Sequence, residues 1–142
     1  MQQNPTADLG APVIAVRGNG PLSGSVTVPG AKNSVLKLMA AALLSDGTSE
    51  LTNVPTIADV TIMVELLEAI GVRIDRPEPG RLLLTNTGDL TPVAPYELVE
   101  RIRASINVLG PLLARCGHVR LSLPGGDDFG ARDNSLGELV HD

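Results

Sequence analysis

Two stretches of this 142-residue chain carry apolar residues at helical spacing, each stopped by glycine and each flanked by short β-prone runs, and this pattern constrains the fold most. Val35, Leu36, Leu38, Met39, Ala42 and Leu43 predict one helix ending at Ser45-Asp46-Gly47, and Val60, Met63, Leu66, Leu67 and Ile70 predict a second closed by Gly71. Ahead of the first helix, residues 13–16 and 25–28 read as two strands joined by a glycine-rich turn. Between the helices, residues 49–54 read as another strand. Residues 72–75 and 81–85 flank Pro77-Glu78-Pro79-Gly80 and predict a hairpin. Pro95 opens a third helix carrying Leu98, Ile102, Ser105, Ile106 and Leu109 to a break at Gly110-Pro111, with Leu112 and Leu113 extending it toward Gly117. Val119, Leu121 and Leu123 then alternate as a strand running into Pro124-Gly125-Gly126. The order β-β-α-β-α-β-β-α-β implies an α/β fold with helices on small mixed sheets.

The residues available to fill the core narrow its chemistry. Tyr96 and Phe129 are the only aromatic residues, so Leu, Val, Ile, Ala and Met must do the packing, and base stacking is a poor binding mode for this chain. A net charge of −5 argues against nucleic acid as a partner, since phosphate backbones require a basic footprint. One cysteine, Cys116, allows no internal disulfide and fits a reducing compartment, the cytoplasm being the simplest. Residues 1–10 lack Lys, Arg and an apolar run, unlike a secretory signal, and residues 1–12 are expected to be a disordered tail. The strongest apolar run, residues 38–44, is far shorter than the ~20 residues of a membrane-spanning helix, so a soluble protein with no membrane partner is expected.

Cations sit beside small residues in three places. Lys32 follows Gly30-Ala31 at the entry of the first helix, where unpaired N–H groups and the helix dipole favour an anion; a solvated lysine is the plainer alternative. Arg103, in Arg103-Ala104-Ser105, is bracketed by Ile102 and Ile106 and reads either as a functional cation or as a snorkelling surface arginine. In the glycine loop, Asp127 is a candidate acid or base near Arg132, with an ordinary acidic turn as the alternative. Cys116 reads as a small packing residue. His118 and His141 have no ligand-spaced partners, so no metal is expected, and no nucleotide-type phosphate loop or serine-hydrolase motif appears.

Taken in order, GPLSGSVTVPGAKNS, APYELVERIRASINVLGPLLARCG and LSLPGG resemble the enolpyruvyl transferase family, in its UDP-N-acetylglucosamine branch, from about Val16 to Arg132. The Gly-Ala-Lys-Asn start favours that branch over the shikimate-pathway transferase, which is the alternative enzyme. The resemblance implies a partial lobe of an inside-out α/β barrel built from βαβαββ units. It also implies transfer of enolpyruvyl from phosphoenolpyruvate to the 3-hydroxyl of UDP-N-acetylglucosamine, the committed step toward peptidoglycan, without cofactor. Residue by residue, it makes Lys32 a catalytic and phosphoenolpyruvate-binding cation, Asn33 a ligand of the sugar and reacting centre, and Arg103 and Arg132 further substrate-binding cations. Asp127 stands where many members carry cysteine and becomes the general acid. A carboxylate there implies insensitivity to epoxides that alkylate a thiolate.

The likeness stops at Arg132, so residues 13–132 are expected to form the family-like region; residues 133–142 diverge from the family pattern, and Asp128-Phe129 is unusual beside the catalytic position. Complete members close two lobes over their substrates, so the expectation is a truncated form inactive alone, associating with a missing C-terminal lobe or with itself. The first strands of such proteins complete the other lobe, which leaves residues 13–28 with edges that invite association. The competing reading is a non-catalytic fragment that binds anions or UDP-sugars or serves in assembly.

Overall fold

The computed structural model describes residues 14–18 and 20–122. Within them, α1 (Lys32–Ala41) runs into a 3-10 turn (Ala42–Leu44), followed by β1 (Gly47–Leu51), α2 (Ala58–Ile70), β2 (Arg73–Asp75) and β3 (Leu82–Asn86). A short α3 (Tyr96–Val99), a 3-10 segment (Arg103–Val108) and α4 (Leu109–Cys116) complete the described chain. The strands form one antiparallel sheet in the order β1-β3-β2, with Gly47 opposite Asn86 and Leu51 opposite Leu82 on one side of β3, and Arg73 opposite Thr85 on the other. The run α1-β1-α2-β2-β3 is the αβαββ part of the expected βαβαββ unit.

Both amphipathic helices form where their periodicity places them. Met39, Leu43, Met63, Leu66, Leu67 and Ile70 are fully buried, and with Leu82 and Leu84 from the inner face of β3 they make an aliphatic core. Gly71 ends α2 at φ 113°, and a Cβ there would lie 2.8 Å from the Asp89 carbonyl oxygen, so both conformation and space call for glycine. The hairpin forms as expected, with Gly80 at φ 78° in its turn and the Val54 N–H donating to the Gly80 carbonyl at 2.9 Å. Buried Asn86 ends β3; its Nδ2 donates to the carbonyls of Leu43 and Ser45, both at 3.0 Å, and its Oδ1 accepts from the Gly88 N–H at 2.9 Å. That amide ties the sheet to the end of the first helical element.

Three expectations fail. No strand forms at residues 14–16 or 25–28; Val26 and Val28 stay 87% and 73% exposed, with no strand among the described residues paired to them. The third helix is not continuous to Gly110. It stops after Val99, Ile102 turns extended (φ −142°, ψ 136°), and Pro111 instead occupies the first turn of α4, where its missing N–H matters little. Ser105 sits at the interruption: fully buried, its hydroxyl lies 2.9 Å from the Val99 carbonyl and 2.7 Å from that of Ile102, which also accepts the Ser105 N–H at 3.2 Å. The expected strand from Val119 reduces to a single parallel bridge, Val93 to Arg120, as far as residue 122. No helix among the described residues is long and apolar enough to cross a membrane.

Candidate functional site

After the break that follows α3, Arg103 starts the 3-10 segment and lines a cleft. Residues 101–107 lie against α1, and between them opens a cavity of about 470 Å³. Lys32, Asn33, Leu36 and Lys37 line one side, being successive positions of a single α1 face at i, i+1, i+4 and i+5. Arg101, Arg103 and Asn107 line the other, and Ile102 and Ile106 add an apolar surface beside them. Asp59, from the first turn of α2, is the only carboxylate on the wall among the described residues, against four cations.

Lys32 is the first residue of α1, and its ammonium is ion-paired with Asp59; the lysine side chain is half-exposed and the aspartate mostly covered. The α1 terminus has Ala31 at its cap position and no side-chain capping bond, so its first N–H groups have no side-chain acceptor. Arg101 is ion-paired with Glu65 of α2 at 2.5 Å. A second cleft of about 400 Å³ lies between residues 54–61 and the hairpin turn, with Arg76, Arg81 and Glu78 as its charged lining. There Arg81 meets Glu50 at 2.8 Å and Glu78 at 3.3 Å, and hydrogen bonding to Glu50, followed by that group's charge, raises the arginine pKa.

Of the residues singled out in the sequence, Lys32, Asn33 and Arg103 share the cationic cleft. Asp127 and Arg132, with the glycine loop that carries them, lie outside the described residues. Lys37, Asp59, Arg101 and Asn107 were missed. Lys37 was within reach of sequence reasoning, since it follows Lys32 and Asn33 on the same helical face; Asp59 was not, because its pairing with Lys32 arises only when α2 packs on α1. Among the described residues no group of His, Cys, Asp and Glu side chains is arranged to hold a metal ion, and partly buried Cys116 has His118 Nδ1 3.1 Å from its carbonyl.

Comparison with known proteins gives concordant results. The family profile described as EPSP synthase (3-phosphoshikimate 1-carboxyvinyltransferase) matches residues 16–133. The UDP-N-acetylglucosamine 1-carboxyvinyltransferase of Jannaschia sp. (strain CCS1) is 53% identical over 120 residues, covering 84% of this chain and 29% of that protein. The proteins of the same name from Hyphomonas neptunium and Anaeromyxobacter dehalogenans are each 51% identical, over 87% and 84% of this chain and 29% of their own lengths. The chain thus spans a little under a third of these relatives. Among solved structures, the enolpyruvyl transferase NikO from Streptomyces tendae superposes with a TM-score of 0.64 at 28% identity, covering 74% of this chain and 24% of NikO.

Proposed function

We infer that this chain, which belongs to the EPSP synthase family of enolpyruvyl transferases, forms one wall of a cleft for phosphoenolpyruvate and UDP-N-acetylglucosamine. The observation that carries the reading is a local inversion of charge: a chain of net charge −5 gathers four cations and one carboxylate around a single cavity. A phosphate, a carboxylate and a diphosphate brought together repel one another, and fixed cations offset that repulsion. Identities near 50% to relatives named for UDP-N-acetylglucosamine favour that acceptor over shikimate phosphate.

In this proposal Lys32 and Arg103 meet the phosphoenolpyruvate anion, and Asn33 hydrogen-bonds at the sugar. Asp127 and Arg132, outside the described residues, are the proposed general acid and a further cation for phosphoenolpyruvate. The sugar 3-hydroxyl oxygen bonds to C2 of phosphoenolpyruvate, its proton passing to a base of the C-terminal lobe, as Asp127 gives a proton to C3; C3 then returns a proton to the Asp127 carboxylate as the C2–O bond to phosphate breaks. Phosphate leaves and the enol ether remains, with neither metal nor organic cofactor taking part. The setting proposed is the cytoplasm, and the rest of the substrate enclosure would come from a C-terminal lobe like the remaining length of the relatives.

Calorimetric titration of phosphoenolpyruvate into the full chain tests this. Lys32→Ala should weaken binding about ten-fold or more, the usual consequence of removing a charge-assisted contact. A parent chain that does not bind phosphoenolpyruvate would sink the reading. Phosphate release with both substrates is expected only when a C-terminal lobe is supplied as a second polypeptide. Binding without release even then would favour the alternative, a non-catalytic anion- or UDP-sugar-binding fragment.

A further inference from the structure

Building on the anion-cleft reading, we infer that Gly30 and Asn53 form a clasp that positions Lys32 against Asp59. Gly30 precedes Lys32 by two residues, and a Cβ built on it would lie 2.1 Å from the Asn53 carbonyl oxygen and 3.3 Å from Pro55 Cδ. Carbon atoms pack best at about 3.5–4.0 Å, and the obstructing atom belongs to the backbone, which has no rotamer to swing aside. By contrast, Gly18, Gly20 and Gly24 have nothing within 4 Å of such an atom. The glycine ahead of Lys32 therefore leaves room for the protein's own main chain rather than for a ligand.

Asn53 holds the other half of the joint. It is the one described non-glycine residue at positive φ (53°), a conformation asparagine tolerates better than most residues, and its Nδ2 donates to the Val28 carbonyl at 3.5 Å. The strand-to-helix loop that carries Asn53 leads directly into α2 and Asp59, just as Gly30 leads directly into α1 and Lys32. Both members of the ion pair thus hang from one joint. Neither Gly30 nor Asn53 lines the cleft, so their role is positioning, exerted through the placement of α1 on the loop before α2.

The sequence supplies a clean readout, because Lys32 and Lys37 are the only lysines and both lie on α1. Acylation of lysine amines in the ligand-free full chain, quantified by mass spectrometry, gives a Lys32-to-Lys37 labelling ratio with Lys37 as internal standard. Gly30→Ala should raise that ratio about three-fold by releasing Lys32 from Asp59, the scale of a partly exposed ion pair. Asp59→Asn should raise it equally, and the double variant should go no further, since both changes remove the same contact. An unchanged ratio in Gly30→Ala with helical circular dichroism intact overturns the clasp. Should Gly30→Ala lose that signal, Asn53→Ala decides: a raised ratio supports the clasp and a parental ratio overturns it. Because labelling needs no ligand, failure of phosphoenolpyruvate binding would remove the functional reading while the ratio still judged the joint.

Discussion

The strand β3 and the stretch around Val26 both place aliphatic residues at every second position, Leu82 and Leu84 in one and Val26 and Val28 in the other, and meet opposite fates. Leu82 and Leu84 of β3 are 3% and 1% exposed, with β1 paired on one side, β2 on the other and the helices over the inner face. Val26 and Val28 have the same spacing and remain almost wholly in solvent. Alternation therefore states only that a segment can bury one face; whether it does depends on an edge in register and an apolar layer being available. Among the described residues, the difference locates the buried core in residues 32–121 and places almost none of it in residues 14–29.

Substitutions on the two sides test that contrast. The largest effect should come from Leu84→Ala, which removes a fully enclosed side chain from the central strand and should lower stability by about 3 kcal/mol in urea titration. A loss under about 1 kcal/mol would mean the sheet face is loosely packed and the contrast overstated. Asn86→Ala comes next, at about 2 kcal/mol by the same titration, because it strands the carbonyls of Leu43 and Ser45 that its amide satisfies. The smallest effect belongs to Val26→Ala, within about 0.5 kcal/mol of the parent. A larger loss there would show that the exposed alternation has found a partner.

The parts of the fold that could be read from sequence are those whose causes are local. The stripes of α1 and α2, the glycine that stops α2, and the Pro-Gly turn between β2 and β3 each act within a few residues, and each lies where its pattern put it. The extended backbone at Ile102 interrupts the helix after Val99, beside a Ser105 hydroxyl buried among other elements, so Leu98, Ile102 and Ile106 read as one helical face when they are not. Val119 and Leu121 are buried without building a ladder, since the described chain forms only one bridge there, between Arg120 and Val93. In the cleft, Lys32, Asn33 and Arg103 were visible through motifs, whereas Asp59 and Arg101 owe their places to contacts with residues far away in the chain.

The sheet order carries a consequence for how the chain is made. Its middle strand is the last of the three to be synthesised, so β1 leaves the ribosome with no neighbour to zip onto. From Gly47 to its partner Asn86, elongation at about 5–20 residues per second imposes a wait of roughly 2–8 s. Through that interval β1 is a lone ribbon, and nascent chains crowded on one messenger have time to offer each other the wrong edge. Slowing translation upstream of β3 would lengthen that exposure, and a chaperone that shields extended segments would shorten it.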